Sequence, residues 1–173
     1  GYLAVDLFFL LSGYVIALNY AGEFSRLSLA SIRRFLILRL GRIYPLHLFM
    51  LLLFLLNPIA ILLFSAAATP GLRYEPVYFV LSLFLIQNWG FTDNLAWNVP
   101  SWSISTEWAA YLLFPLLALG LHRAARNAAV TLCLAGTLLA VLAVSASLSG
   151  LDNLGSNIPG FGLLRCLLGF ATG

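Results

Sequence analysis

Apolar residues fill this chain in long blocks separated by short polar stretches, and the block lengths set the expected architecture. The first block, Tyr2 to Tyr20, is long enough to cross about 30 Å of hydrocarbon at about 1.5 Å per residue. A polar stretch from Ala21 to Pro45 follows, then a second block from Leu46 to Ala68. Pro58 interrupts that block, which membrane helices tolerate when neighbours satisfy the freed carbonyl. Val77 to Phe91, about 15 residues ending in Gln87, Asn88 and Trp89, suits a re-entrant or interfacial segment better than a full crossing. Ser101 to Leu121 and Ala128 to Leu148 are again of crossing length, whereas Phe161 to Gly173 only begins a span. No alternation of period two is sustained and no internal repeat stands out. The expected fold class is all-α: a polytopic transmembrane helical bundle, incomplete at both ends.

Composition supports the bilayer as solvent. Of 173 residues, 62% are hydrophobic and 9% charged, with a mean hydropathy of +0.99, whereas water-soluble domains carry about 25% charged residues. The two cysteines, Cys133 and Cys166, lie in apolar runs and read as small hydrophobes, so neither a structural disulfide nor a metal site is expected. All nine basic residues are arginines, and Arg26, Arg33, Arg34, Arg39 and Arg42 fall in one stretch, so the net charge of +3 is a local feature. Apolar flanks make a cytoplasmic membrane loop a better reading of that cluster than nucleic-acid binding. If Val77 to Phe91 is re-entrant, the helix after it delivers Arg123 and Arg126 to the same side as the cluster. If it crosses, they land outside. The re-entrant arrangement is preferred, with Ser149 to Gly160 as an external loop. The chain opens on Gly1 without a basic leader or cleavage site, as expected of an internal fragment.

Ionisable residues inside spans are costly and therefore informative. Asp6 and Gly13 lie within about 20° of one helix face, which would point the acid into the bundle beside a glycine that admits a close neighbour. Gly13 and Ala17 also form a small-x-x-x-small packing pair. Asp6 is either a functional acid or a structural one, paired with an arginine or capping a helix near the interface. Glu107 follows the polar and aromatic run from Asn98 to Thr106, and Ser103 stands one helical turn before it, so that hydroxyl and carboxylate share a face and suit a polar site or proton relay. A solvated helix start is the plain alternative. Arg39 and Arg42, at i,i+3, place two guanidinium forks on one helix edge. Such forks bind phosphate oxygens with paired hydrogen bonds, whereas topology alone would accept lysine; holding the helix to anionic lipid is the competing reading.

Three ordered motifs, Asp6-Leu7-Phe8-Phe9-Leu10-Leu11-Ser12-Gly13-Tyr14, Arg39-Leu40-Gly41-Arg42-Ile43-Tyr44-Pro45 and Trp102-Ser103-Ile104-Ser105-Thr106-Glu107, make the chain resemble the acyltransferase 3 family of integral-membrane O-acyltransferases. The tail with Arg165 and Gly169-Phe170 is similar but less distinctive. The resemblance implies transfer of an acyl group, usually acetyl from acetyl-CoA as co-substrate, to a hydroxyl of a carbohydrate or glycolipid of the cell envelope, as in O-antigen and exopolysaccharide acetylation. It implies a multi-pass protein of the bacterial inner membrane with the lipid bilayer as surroundings, no tightly bound cofactor and no nucleic-acid partner. On that carry-over Arg39 and Arg42 bind donor phosphates, Asp6, Glu107 and Ser103 form the catalytic polar centre, and Gly13, Pro45, Trp102 and Ser105 are structural members of the motifs.

Family members also carry a preceding helix with an arginine and a histidine regarded as the catalytic base. That helix is expected upstream of Gly1, so the fragment alone is expected to be inactive. His47 follows the Arg-x-x-Arg motif and His122 suits a helix C-terminal cap, and neither obviously replaces that base. A transporter or channel is the alternative function, since acids within spans and a re-entrant segment also mark solute pathways; a purely structural membrane subunit is a third. The sequence leaves open direct attack of the acceptor on the thioester and a relay through an acyl-enzyme on Ser12, Ser103 or Ser105. Serine in membrane helices more commonly serves interhelical hydrogen bonding.

Overall fold

A computed structural model describes residues 2–26, 28–64, 74–124, 127–148 and 157–173. Among them are six α-helices and no strand: α1 (Tyr2–Tyr20), α2 (Leu29–Phe64), α3 (Pro76–Leu83), α4 (Trp102–Ala124), α5 (Ala128–Leu148) and α6 (Ile158–Thr172), with short 3-10 turns at Glu23–Ser25 and Val99–Ser101. The chain is thus an all-α membrane bundle, in which α1, α2, α4 and α5 are each long and apolar enough to cross a bilayer. Arg126 and most of the expected external loop lie outside the described residues.

Two segments differ from expectation. The polar stretch is not a loop up to Pro45, because α2 begins at Leu29 and runs unbroken for 36 residues through Pro45 and Pro58. Leucine and arginine both favour helix, so the stretch that hydropathy excludes from lipid is still helical. Ile43 to Phe64 alone spans about 33 Å at about 1.5 Å per residue, enough to cross, which leaves the first turns to carry the arginines. The block from Val77 to Phe91 is not one helix either. α3 covers eight residues, about 12 Å, and irregular backbone follows, with positive φ at Leu85, Gly90 and Trp97.

Irregular backbone at membrane depth survives only when buried in protein, and here side chains hold it. Trp97 Nε1 donates to Glu75 O at 2.8 Å, and Trp89 Nε1 to Ser105 O at 3.0 Å. Gln87 Nε2 donates to Ser101 O at 3.2 Å, and Asn88 Nδ2 to Ile158 O at 3.3 Å. His47 and Ser82 tie α3 to α2, and Tyr78, Leu51 and Trp97 pack beneath.

The main core lies between α1, α2, α4 and α6. On α1, Leu3, Leu7, Leu11, Val15 and Leu18 are exposed, as a lipid-facing stripe would be, while Phe9, Gly13 and Ile16 are buried at helical spacing. Phe24, Phe35 and Phe114 meet with ring centroids 5.3 to 5.7 Å apart, and Phe170 reaches Phe114 at 6.1 Å. Phe9 against Trp102, Ser12 against Glu107 and Phe24 against Phe114 show that α4 runs in the same sense as α1. Asp6 against Arg165 and Gly13 against Phe170 show the same for α6. Phe35 meets Phe114 while Arg39 and Arg42, later on α2, share a cleft with Glu107, earlier on α4, which makes α2 antiparallel to them. The last turn of α4 therefore lies at the same end of the bundle as the first turns of α2 with their arginines.

Candidate active site

Where α1, α2 and α4 meet, a cleft of about 410 Å³ opens. Ser12, Arg39, Arg42, Glu107 and Tyr111 supply its polar lining, and Phe8, Leu11, Val15, Ile43, Leu46 and Ile104 are among its apolar walls. Glu107 is the centre of the polar part. Its side chain is 4% exposed, and its Oε1 accepts hydrogen bonds from Ser12 Oγ at 2.6 Å and from the Tyr111 hydroxyl. Tyr111 lies one turn after Glu107 on α4, while Ser12 comes from α1, so the carboxylate is fixed by a local partner and a distant one.

The guanidinium groups stand on the facing wall. Arg39 stacks over the Tyr20 ring at 4.8 Å and the Phe35 ring at 5.7 Å, which orients its planar group and leaves its donors for a ligand. Its Nε is buried with no hydrogen-bond partner among the described residues, and Arg42 is exposed. Both arginines act electrostatically on Glu107. The cleft therefore offers two cationic forks able to hold an anion, a carboxylate able to take a proton, a hydroxyl bonded to it, and apolar surface for an acyl chain.

The other sequence candidates are placed elsewhere. Asp6 does not line the cleft. Arg165 Nε and Nη2 donate to its two carboxylate oxygens at 2.5 and 2.9 Å, with Arg165 1% exposed, and this pair joins α1 to α6. Ser103 is partly buried and its Oγ donates to Pro100 O at 3.1 Å, so the hydroxyl beside Glu107 is Ser12 and not Ser103. Ser105 donates to Leu85 O at 2.9 Å and accepts from Asn88 N at 3.2 Å, which locks the irregular segment onto α4. Trp102 packs edge-on against Phe9 at 6.0 Å, and a Cβ on Gly162 would press on the same ring. Gly13 lets α1 approach the backbone of Phe170, and Pro45 is exposed on α2. His47 Nε2 donates to Ser82 O at 2.8 Å in the α2–α3 contact, and the His122 side chain lies outside the described residues. Cys133 is exposed and Cys166 buried, both as free thiols.

Sequence reasoning missed Tyr111 as a partner of Glu107, although the i,i+4 rule applied to Ser103 also holds on the C-terminal side. It placed Ser12 only among possible acyl carriers and Arg165 only in a weak motif. Nothing in the local sequence could pair either with its acid, at separations of 95 and 159 residues.

Comparison with known proteins places the chain in a family. The chain is 38% identical over 120 residues to acyltransferase MdmB of Streptomyces mycarofaciens, a match covering 67% of this chain and 28% of that protein. No solved structure matches. The acyltransferase domain that defines the acyltransferase 3 family matches residues 1–173 throughout, and the chain belongs to that family.

Proposed function

We propose that the protein is a membrane-bound O-acyltransferase that moves an acyl group, acetyl in the first instance, from acyl-CoA to a hydroxyl of a carbohydrate or other cell-envelope acceptor. The observation that carries this reading is the convergence of Arg39 and Arg42 from α2 with Glu107 from α4 on one cleft with apolar walls. Coenzyme A brings phosphates suited to arginine forks and a slender apolar arm ending in the thioester, and the acceptor hydroxyl needs a base. A relative named as an acyltransferase supports the reaction class. The arginine-rich start of α2 suits the cytoplasmic face, where acyl-CoA is available, and a bacterial cell membrane is the setting proposed.

The test is donor dependence. In membranes containing the intact protein, Arg39→Lys and Arg42→Lys are each expected to raise the KM for acetyl-CoA about tenfold, or about 1.4 kcal/mol, because lysine keeps the charge and loses the paired hydrogen bonds. A KM unchanged in both variants of an active protein would remove the arginines from the donor site.

A further inference from the structure

The serines on this chain that could carry an acyl group differ in what holds their protons. Ser103 Oγ donates to a carbonyl of its own turn, Pro100 O. Ser105 is fully buried, and its Oγ both donates to Leu85 O and accepts from Asn88 N, so it is occupied in holding the chain behind α3. Ser12 alone of the three donates to a carboxylate, at 2.6 Å, and it lines the cleft that Arg39 and Arg42 also face. A serine hydroxyl is a weak nucleophile unless an adjacent base takes its proton, and a nucleophile within hydrogen-bond reach of a base that a third group orients is the recognisable arrangement. Here the third group is Tyr111, whose hydroxyl donates to the same Glu107 oxygen and fixes the carboxylate against α1. The Asp6–Arg165 pair and the Gly13–Phe170 contact hold α1 on both sides of Ser12.

We propose that Ser12 Oγ receives the acyl group from the donor thioester, with Glu107 as its base, so that transfer passes through an acyl ester on α1. The proposal rests on the acyl-CoA reading given above. In the first step Ser12 Oγ adds to the thioester carbonyl carbon while its proton passes to Glu107 Oε1. The carbon–sulfur bond breaks, and the sulfur leaves with the bonding pair and takes that proton, giving the free CoA thiol and an ester on Ser12. In the second step the acceptor hydroxyl oxygen adds to the ester carbonyl and gives its proton to Glu107. Ser12 Oγ leaves with its bonding pair and recovers the proton from Glu107. Glu107 ends each step as it began, and no oxidant or further reactant is needed. Donor and acceptor then use the cleft in turn, which predicts ping-pong kinetics.

The experiment gives the purified intact protein radiolabelled acetyl-CoA without acceptor, follows CoA thiol release, and maps the label after denaturation. In parallel, O-acetylation of envelope carbohydrate is measured in cells expressing each variant. The expected result is close to one label per protein on the peptide containing Ser12, none in Ser12→Ala, and cellular transfer by that variant at least about 100-fold lower. Ser12→Cys guards against misfolding: its label should survive and become sensitive to neutral hydroxylamine, as a thioester is and an oxygen ester is not. Wild-type protein that acetylates carbohydrate in cells yet carries no label on Ser12, or Ser12→Ala that transfers within about threefold of wild type, overturns the relay and leaves direct attack on the thioester. Wild-type protein that neither releases CoA thiol nor acetylates carbohydrate overturns the acyltransferase reading, and the relay with it.

Discussion

Replacing Asp6 with asparagine separates a structural acid from a catalytic one. Arg165 is 1% exposed and holds both oxygens of Asp6, whose own side chain is 26% exposed. Removing one member of a buried pair costs about 3–5 kcal/mol when both are fully desolvated. Partial exposure of Asp6 lowers that figure, and about 2–3 kcal/mol is expected. In the folding equilibrium this is roughly 30- to 150-fold. The assay is reversible unfolding in bicelles for Asp6→Asn, Arg165→Met and the double variant, combined as a thermodynamic cycle, with turnover per folded molecule measured alongside. The pair predicts a coupling of at least about 1 kcal/mol, so that the double variant is less destabilised than the sum of the singles, and turnover within about threefold of wild type. Strict additivity would refute the pairing. Unchanged stability with turnover lost in Asp6→Asn alone would return Asp6 to the catalytic centre.

Two further substitutions probe the packing around the cleft. Gly13→Ala places a Cβ against the Phe170 carbonyl, with Phe170 Cα at 3.2 Å, and should destabilise by about 1–3 kcal/mol in thermal unfolding; an unchanged midpoint would mean that α1 and α6 do not meet there. His47→Phe removes the side-chain donor to Ser82 O, a carbonyl that still accepts from Leu85 N at 3.1 Å, for a loss of about 0.5–1.5 kcal/mol with turnover per folded molecule retained. Turnover lost at unchanged stability would give His47 a direct role.

Helices that lie in lipid along their whole length were legible in the sequence. The bounds expected for the first span and for the block from Ala128 to Leu148 are those of α1 and α5, since hydropathy and helix coincide there. The start of α2 was not legible, because hydropathy measures preference for lipid and not for helix, and the arginines between Arg33 and Arg42 satisfy one without the other. The segment after α3 was legible as too short to cross but not as irregular. Its conformation depends on Ser101, Ser105 and Ile158, which come later in the chain. In the site, the motifs brought Arg39, Arg42 and Glu107 forward, while the partner of each acid was hidden. Helical periodicity shows which residues share a face of one helix, so Ser103 stood beside Glu107 on paper. Which helix lies opposite is decided by packing, and packing placed Ser12 there, with Arg165 opposite Asp6.

The central claim is that the cleft between α1, α2 and α4 carries out acyl transfer with Glu107 as the base for the hydroxyl next to it. Glu107→Gln tests it most directly, because glutamine has nearly the same shape and its amide oxygen can still accept from Ser12 and Tyr111, but it cannot take a proton at neutral pH. Acetyl-CoA-dependent transfer to envelope carbohydrate, in membranes containing equal amounts of folded protein, should fall by about 10²- to 10⁴-fold with little change in the KM for acetyl-CoA. Transfer by the folded Glu107→Gln protein at close to the wild-type rate would contradict the account.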